Sequence, residues 1–264
     1  MARISRTTWL KGVALLVALA SLTINFGLID LVDGFTGYVD QARNQILDVG
    51  WGAVFGVILP LGLLSQLRRP ERRIAGIQQT AVVASTLALA GAAGEKGGYL
   101  ALAGGIAVAS AVLLALHPAR RTFLPRGRHP EPRMLALAGV AAVPSLVYAW
   151  RMASAQRRDL PPADAVSNGL HHWTVMTALA LLVLFLTLLA AVHTAGWRIP
   201  ALSASIAAAA WSISCLLAPT SAAGSEGHVW AWAALLWAVV TVAAAAWPRT
   251  RDQIVCAEAQ PNPT

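Results

Sequence analysis

The sequence predicts an all-α membrane protein, a bundle of eight transmembrane helices with both termini in the cytoplasm. Three observations carry that prediction. Charged residues are only 12% of the 264 positions and hydrophobic ones 57%, whereas a soluble domain carries about 25% charged residues. Eight apolar runs each approach the ~20 residues needed to cross a hydrocarbon core about 30 Å thick. Arginine, finally, is concentrated in alternate loops. The mean hydropathy of +0.60 agrees. Runs this long and this uniformly apolar are helices, because a strand in lipid leaves backbone groups unpaired unless a barrel closes.

The first run, 9–30, follows Arg3, Arg6 and Lys11 and contains Ala18-Leu19-Ala20. That pattern resembles a secretory signal, but the apolar stretch continues through Ile24, Phe26, Leu28 and Ile29, longer than a signal core. It is read as an uncleaved span. The second run, 48–67, holds Gly56 and Pro60. Proline removes a backbone donor, so a kink is expected there, and another at Pro144 in the fifth run, 134–152. The third run, 75–93, and the seventh, 199–218, are rich in alanine and serine, which lets helices approach closely in lipid. Gly104-Gly105 in the fourth run, 97–117, reads the same way. The sixth run, 170–193, is dense in leucine (Leu181, Leu182, Leu184, Leu186, Leu188, Leu189) and is expected to face lipid over part of its surface. The eighth run is 228–247. The whole chain is one transmembrane domain, with a weak two-half organisation, 1–117 and 134–247, joined by the basic segment 118–133 and followed by a polar tail, 248–264.

Charge sets the orientation. With the N-terminus inside, alternating loops place 15 of the 20 basic residues in the cytoplasm, densest in 67–73 and 119–133. Eight of the 12 acidic residues, including Asp30, Asp33, Asp48, Glu95, Asp159 and Glu226, fall outside. This is the positive-inside bias. It accounts for the net charge of +8 without nucleic acid, which is not an expected partner; membrane lipids and other membrane subunits are. Trp9, Trp197 and Trp247 mark the inner interface, and Trp51, Tyr148, Trp150, Trp173, Trp230 and Trp232 the outer one, as an aromatic belt should. Cys215, in a span, and Cys256, in the tail, are not expected to form a disulfide.

No Asp, Glu, Lys or Arg lies near the middle of a predicted span, which disfavours an ion-coupled transporter. No phosphate-binding glycine loop and no serine-nucleophile motif is present. Residues with chemistry gather instead at the outer ends of the spans. Asp30 and Asp33 end the first, Asp48 opens the second, His171 and His172 open the sixth, and Glu226 and His228 open the eighth. His172 and Met176 are four apart, hence on one helix face about 6 Å along its axis. Imidazole with thioether suits copper and imidazole with carboxylate suits zinc or iron. A metal or haem site built from His171, His172, Met176 and His228, with carboxylates nearby, is therefore one expectation. Bis-His ligation of one haem by His172 and His193 is excluded by their separation of about 31 Å along one helix. A metal-free alternative uses Asp30, Asp33 and Asp48 to protonate, or stabilise a cation in, a lipid-soluble substrate.

Asn25-Phe26-Gly27-Leu28-Ile29-Asp30-Leu31, Gly50-Trp51-Gly52 and Leu170-His171-His172-Trp173 resemble integral membrane proteins of actinobacterial type to which no activity is attached. The resemblance implies a bacterial cytoplasmic membrane location and assigns no functional residue. The leading expectation is a non-enzymatic membrane component that binds a hydrophobic small molecule, a lipid or a protein partner. A metal- or haem-dependent protein, a small-solute transporter and a membrane enzyme acting on a lipid-soluble substrate are the alternatives.

Overall fold

The computed structural model describes residues 5–23, 27–36, 44–124, 130–160, 171–218 and 222–247. Arg3, Asp40, Arg43, Arg126, Arg128, Asp164, Arg249, Arg251 and Cys256, with Asn25, Phe26 and Leu170 of the motifs above, lie outside them. The described residues are helical and contain no strand. Among the described residues, seven helices are long and apolar enough to cross a membrane, or eight if a bent pair at the N-terminal end is one span.

That pair is α1 (Arg6–Thr23) and α2 (Gly27–Thr36), bent by 41°. The single run read over 9–30 is thus two helices, and its chemistry changes place. Asp30 is not at the end of a helix; it lies in the first turn of α2, which continues to Thr36.

The next span, Gln45–Leu67, is α3 (Gln45–Gly52), a π-helical segment (Ala53–Ile58), α4 (Leu59–Leu64) and a closing 3-10 turn. The irregularity expected around Gly56 and Pro60 takes the form of that π turn. The Leu59 amide donates to the Val54 carbonyl, five residues back. In this register the Phe55 carbonyl would next take the amide of Pro60, which has none.

The remaining elements are α5 (Ile74–Ala93), α6 (Gly97–Leu116), α7 (Pro132–Arg157), α8 (His172–Ala191), α9 (Arg198–Leu217) and α10 (His228–Ala246). α7 runs unbroken through Pro144. α8 packs against α7, α5, α9 and α3, and none of its residues is exposed. The expected lipid-facing side of this leucine-rich helix is therefore corrected: a helix apolar all round is the one that a bundle can surround completely. The outward faces belong to α6, α7 and α10, with Val108, Val143 and Val229 on them. The small residues of α5 and α9 are largely buried, among them Ala84, Ala90, Ala204 and Ala207.

The aromatic belt is corrected in the same way. Trp150, Trp230 and Trp232 are exposed, but Trp51 and Trp173 are 4% and 6% exposed, because α3 and α8 are interior helices. Tyr148 is internal too, donating to the Gly224 carbonyl (2.6 Å) and accepting from Trp211 Nε1 (3.2 Å). Cys215 is buried in α9 as a free thiol.

Glycine sets how closely α2 lies on the second span. A Cβ at Gly27 would stand 2.5 Å from the Phe55 carbonyl carbon and 2.7 Å from the Gly56 nitrogen. Farther along, Gly52 meets Leu31, and Gly34 meets Val49. These contacts run antiparallel and place Asp30 opposite Ala53. At ~1.5 Å per residue that is about 12 Å from the start of a rod about 35 Å long, a third of the way along it.

Candidate functional site

The described arginines of 68–73 and 120–121 lie at one end of the bundle, where α4 and α6 finish. The candidate site lies at the other end, where α3 and α8 begin. His171 takes a left-handed backbone (φ 51°) that turns the chain into α8, and its carbonyl accepts the Tyr99 hydroxyl at 3.1 Å. His172, the first residue of the helix, is carried inward. Its Nδ1 stands 3.3 Å from Asp48 Oδ1, with both side chains largely buried. Trp51, one turn below Asp48, lies against the imidazole with ring centroids 5.7 Å apart. It also contacts Phe55 (4.7 Å) and, edge-on, Tyr99 (6.2 Å).

The pairing assigns the tautomer. With Nδ1 facing a carboxylate, the neutral ring carries its proton there and Nε2 is left as an acceptor. Nε2 is fully buried with no hydrogen-bond partner among the described residues, and Asp30 Oδ2 is in the same condition. Asp30 lies within electrostatic reach of His172, Asp48 and Asp33, although no hydrogen bond or ion pair joins it to them. Buried polar atoms are nearly always hydrogen-bonded, and an exception marks strain, a functional role, or a water or ion at the site; Gln66 Oε1 and Gln156 Nε2 are in the same condition.

Of the acids and imidazoles expected at the rim, the structure brings Asp48 and His172 into contact, with Asp30 within electrostatic reach of both. Met176 is buried one turn below His172, its sulfur filling the space that a Cβ at Gly50 would need. Glu226 belongs to a separate group. It pairs with Arg151 of α7; burial pushes its carboxyl above the usual range, while the guanidinium pulls the other way. His228 is exposed at the start of α10, a helix that packs on α9 and α7. Among the described residues no three His, Cys, Asp or Glu side chains are grouped as a metal ion requires. A cleft of about 350 Å³ opens at the same end, lined by Trp150, Arg151, Met152, Arg158 and Trp173 among others.

Sequence reading missed Tyr99 and the role of Trp51 as a wall of the site. It also passed over Gln79, fully buried in α5, which donates to the Ile58 carbonyl (2.5 Å) and to Ser203 Oγ (2.9 Å). A glutamine inside an apolar run was the available signal for the second. The glycines at 27, 52 and 56 were the signal for the close approach that carries Asp30 inward.

No protein-family model matches the chain, and no curated protein or solved structure matches it either.

Proposed function

We propose that this protein is a proton-coupled carrier of a small solute in a bacterial cytoplasmic membrane, with Asp30, Asp48 and His172 as its proton-binding centre. In this reading α1 and α2 form one bent span, the chain crosses the membrane eight times, and the arginine-rich end faces the cytoplasm together with both termini. The single observation that carries the proposal is the buried Asp48–His172 pair, whose Nε2 is left without a partner, with Asp30 within electrostatic reach of both. Ionisable groups inside a membrane bundle are expensive and mark proton and ion pathways. Their setting supports the same reading. The bend between α1 and α2 and the π segment lie against one another through Gly27 and Gly56, and carriers build their sites where helices are interrupted. The uncharged middle of the spans speaks against transport, and Asp30, opposite a point about a third of the way along the second span, is the charged group on which this reading relies.

Binding of a hydrophobic molecule, a lipid or a partner without transport is the second reading, favoured by the cleft beside Trp173. In it the acid–imidazole cluster exchanges no proton with a passing solute.

Proteoliposomes holding a pH-sensitive dye separate the two. Offered a panel of small amines, carboxylates, sugars and amino acids, wild-type vesicles are expected to show solute-evoked proton movement that Asp30→Asn abolishes. Vesicles that behave like protein-free ones towards the whole panel would overturn the carrier reading.

A further inference from the structure

We infer that the groove between α5 and α6 holds one acyl chain of an anionic phospholipid, whose phosphate is met by Arg120 and Arg121 where the groove ends. This site is separate from the Asp48–His172 pair and does not depend on the carrier reading.

Small residues make the groove. α5 and α6 pack on one another, and Ala84 and Ala88 of the first, with Ala103, Gly104 and Ala107 of the second, line a groove of about 520 Å³. It extends from Ala88 to Ile77 along α5 and from Leu100 to Leu114 along α6, which is about 17–21 Å at ~1.5 Å per residue. One leaflet of a hydrocarbon core about 30 Å thick is slightly shorter, so the groove has the length of a single lipid chain. Its two hydroxyls donate back into their own helices, Ser85 to the Ala81 carbonyl (3.0 Å) and Ser110 to the Ile106 carbonyl (2.8 Å). The side chains of the wall therefore offer no free donor, and a polar ligand buried there would go unpaired. Hydrocarbon fits it.

The arginine-rich end of the groove is closed and charged. Phe123 lines it there, and the Phe123 carbonyl accepts Gln78 Nε2 (2.5 Å), whose Oε1 in turn accepts Thr194 (2.6 Å). The Phe123 amide donates to the Arg120 carbonyl at 3.2 Å, so Arg120 belongs to the same turn. Arg120 Nη1 donates to the Ala115 carbonyl at 3.1 Å, which sets the guanidinium beside Leu114 at the rim of the groove. That bond uses one of its five donors. Arg121 follows it, exposed, and neither arginine has an ion-pair partner among the described residues. Guanidinium groups bind phosphate through paired N–H donors, and basic residues at the surface end of a helix pair select anionic head groups. The other occupant for such a groove is a second copy of the chain. Two copies in one membrane share an orientation, so an isologous contact here would bring each arginine pair against its counterpart. Charge favours the lipid.

The test is native mass spectrometry of the full-length protein released from mild detergent, after titration with phosphatidylglycerol, phosphatidylcholine or inorganic phosphate. Wild type should take one phosphatidylglycerol about tenfold more tightly than phosphatidylcholine or a second phosphatidylglycerol, and inorganic phosphate should not displace it. Ala107→Phe, which fills the groove from an exposed position, should lose that first binding. Val108→Phe, exposed on the same helix outside the groove, should keep it, and Arg120→Gln/Arg121→Gln should bind the two lipids alike. Equal binding of the two lipids by wild type overturns the inference, as does an Ala107→Phe protein that binds like wild type. Displacement by inorganic phosphate, which would mean an anion site without a chain, overturns it as well. A wild-type dimer that Ala107→Phe dissociates would assign the groove to a second copy, with the same consequence. Because the three ligands are compared on the wild-type protein, the result does not depend on a variant folding.

Discussion

The Ser21 hydroxyl of α1 donates to the Phe55 carbonyl at 2.6 Å, entirely within the protein. That carbonyl is the one the π turn and Pro60 leave without a helical donor. Serine at this position therefore closes a gap in another helix, and it ties α1 to the segment on which α2 rests. Replacing it with alanine leaves a buried acceptor bare, which costs about 1–3 kcal/mol. Ser21→Ala should lower the unfolding temperature, whereas Ser85→Ala, whose exposed hydroxyl only bonds back to the Ala81 carbonyl of its own helix, should not; equal effects would contradict this role for Ser21.

Gly27 and Gly56 set the distance between α2 and the π segment. A Cβ at Gly27 would press on backbone, at 2.5 Å from the Phe55 carbonyl carbon, and backbone cannot rotate aside as a side chain can. Overpacking of this kind costs about 1–3 kcal/mol or more. Gly27→Ala should destabilise the protein and displace Asp30, while Gly104→Ala and Gly139→Ala, which meet nothing within 4 Å, should be neutral. Unfolding curves of the three variants decide it.

His117, just beyond α6, is buried, its Nδ1 accepting the Ala119 amide at 3.1 Å. Burial lowers its affinity for protons below the ordinary imidazole value of 6.5, with the Pro70 carbonyl and Glu71 pulling the other way. The folded state therefore holds the ring neutral more firmly than the unfolded chain does. Stability from this group is complete above about pH 6.5 and declines as pH falls through that value towards the lower folded one. His117→Asn keeps an acceptor for Ala119 and removes the titration, so its stability should fall less than that of wild type between about pH 7 and about pH 5. Parallel curves would refute the assignment.

Gln79 joins the Ile58 carbonyl to Ser203 through one amide, linking the second span, α5 and α9. Gln79→Leu leaves those acceptors without their donor and should cost about 1–3 kcal/mol. Adding Ser203→Ala to it should cost less than the sum of the two single changes, because both act on one network. Strict additivity in the double-mutant cycle would argue against that coupling.

Much of the fold was legible in the sequence, for a physical reason: length and apolarity set where a helix can cross lipid, and both are local properties. The apolar runs at 75–93, 97–117, 199–218 and 228–247 agree with α5, α6, α9 and α10 to within a few residues. What depends on neighbours was not legible. Leucine density could not separate α8 at the centre of the bundle from a helix facing outward, because core and lipid are equally apolar. Trp51 was assigned to the interface by its distance from the end of a run, and it is internal because α2 and α8 cover α3. The acidic and imidazole residues of the site were all visible, but their grouping was not. Asp48 and His172 meet across 124 positions of sequence, and Glu226 goes to Arg151 instead. The first run was closed at Asp30 because hydropathy falls at a carboxylate whether or not the helix continues, and α2 continues to Thr36.

The central claim, that Asp30, Asp48 and His172 move a proton with a solute, is tested most directly in vesicles that hold a pH-sensitive dye and carry either wild type or an Asp30→Asn/His172→Gln variant shown to be folded by circular dichroism. Solute-evoked proton movement is predicted in wild type and absent in the variant. Equal proton movement in the two would contradict it, and the Asp48–His172 pair would then be a structural contact between α3 and α8.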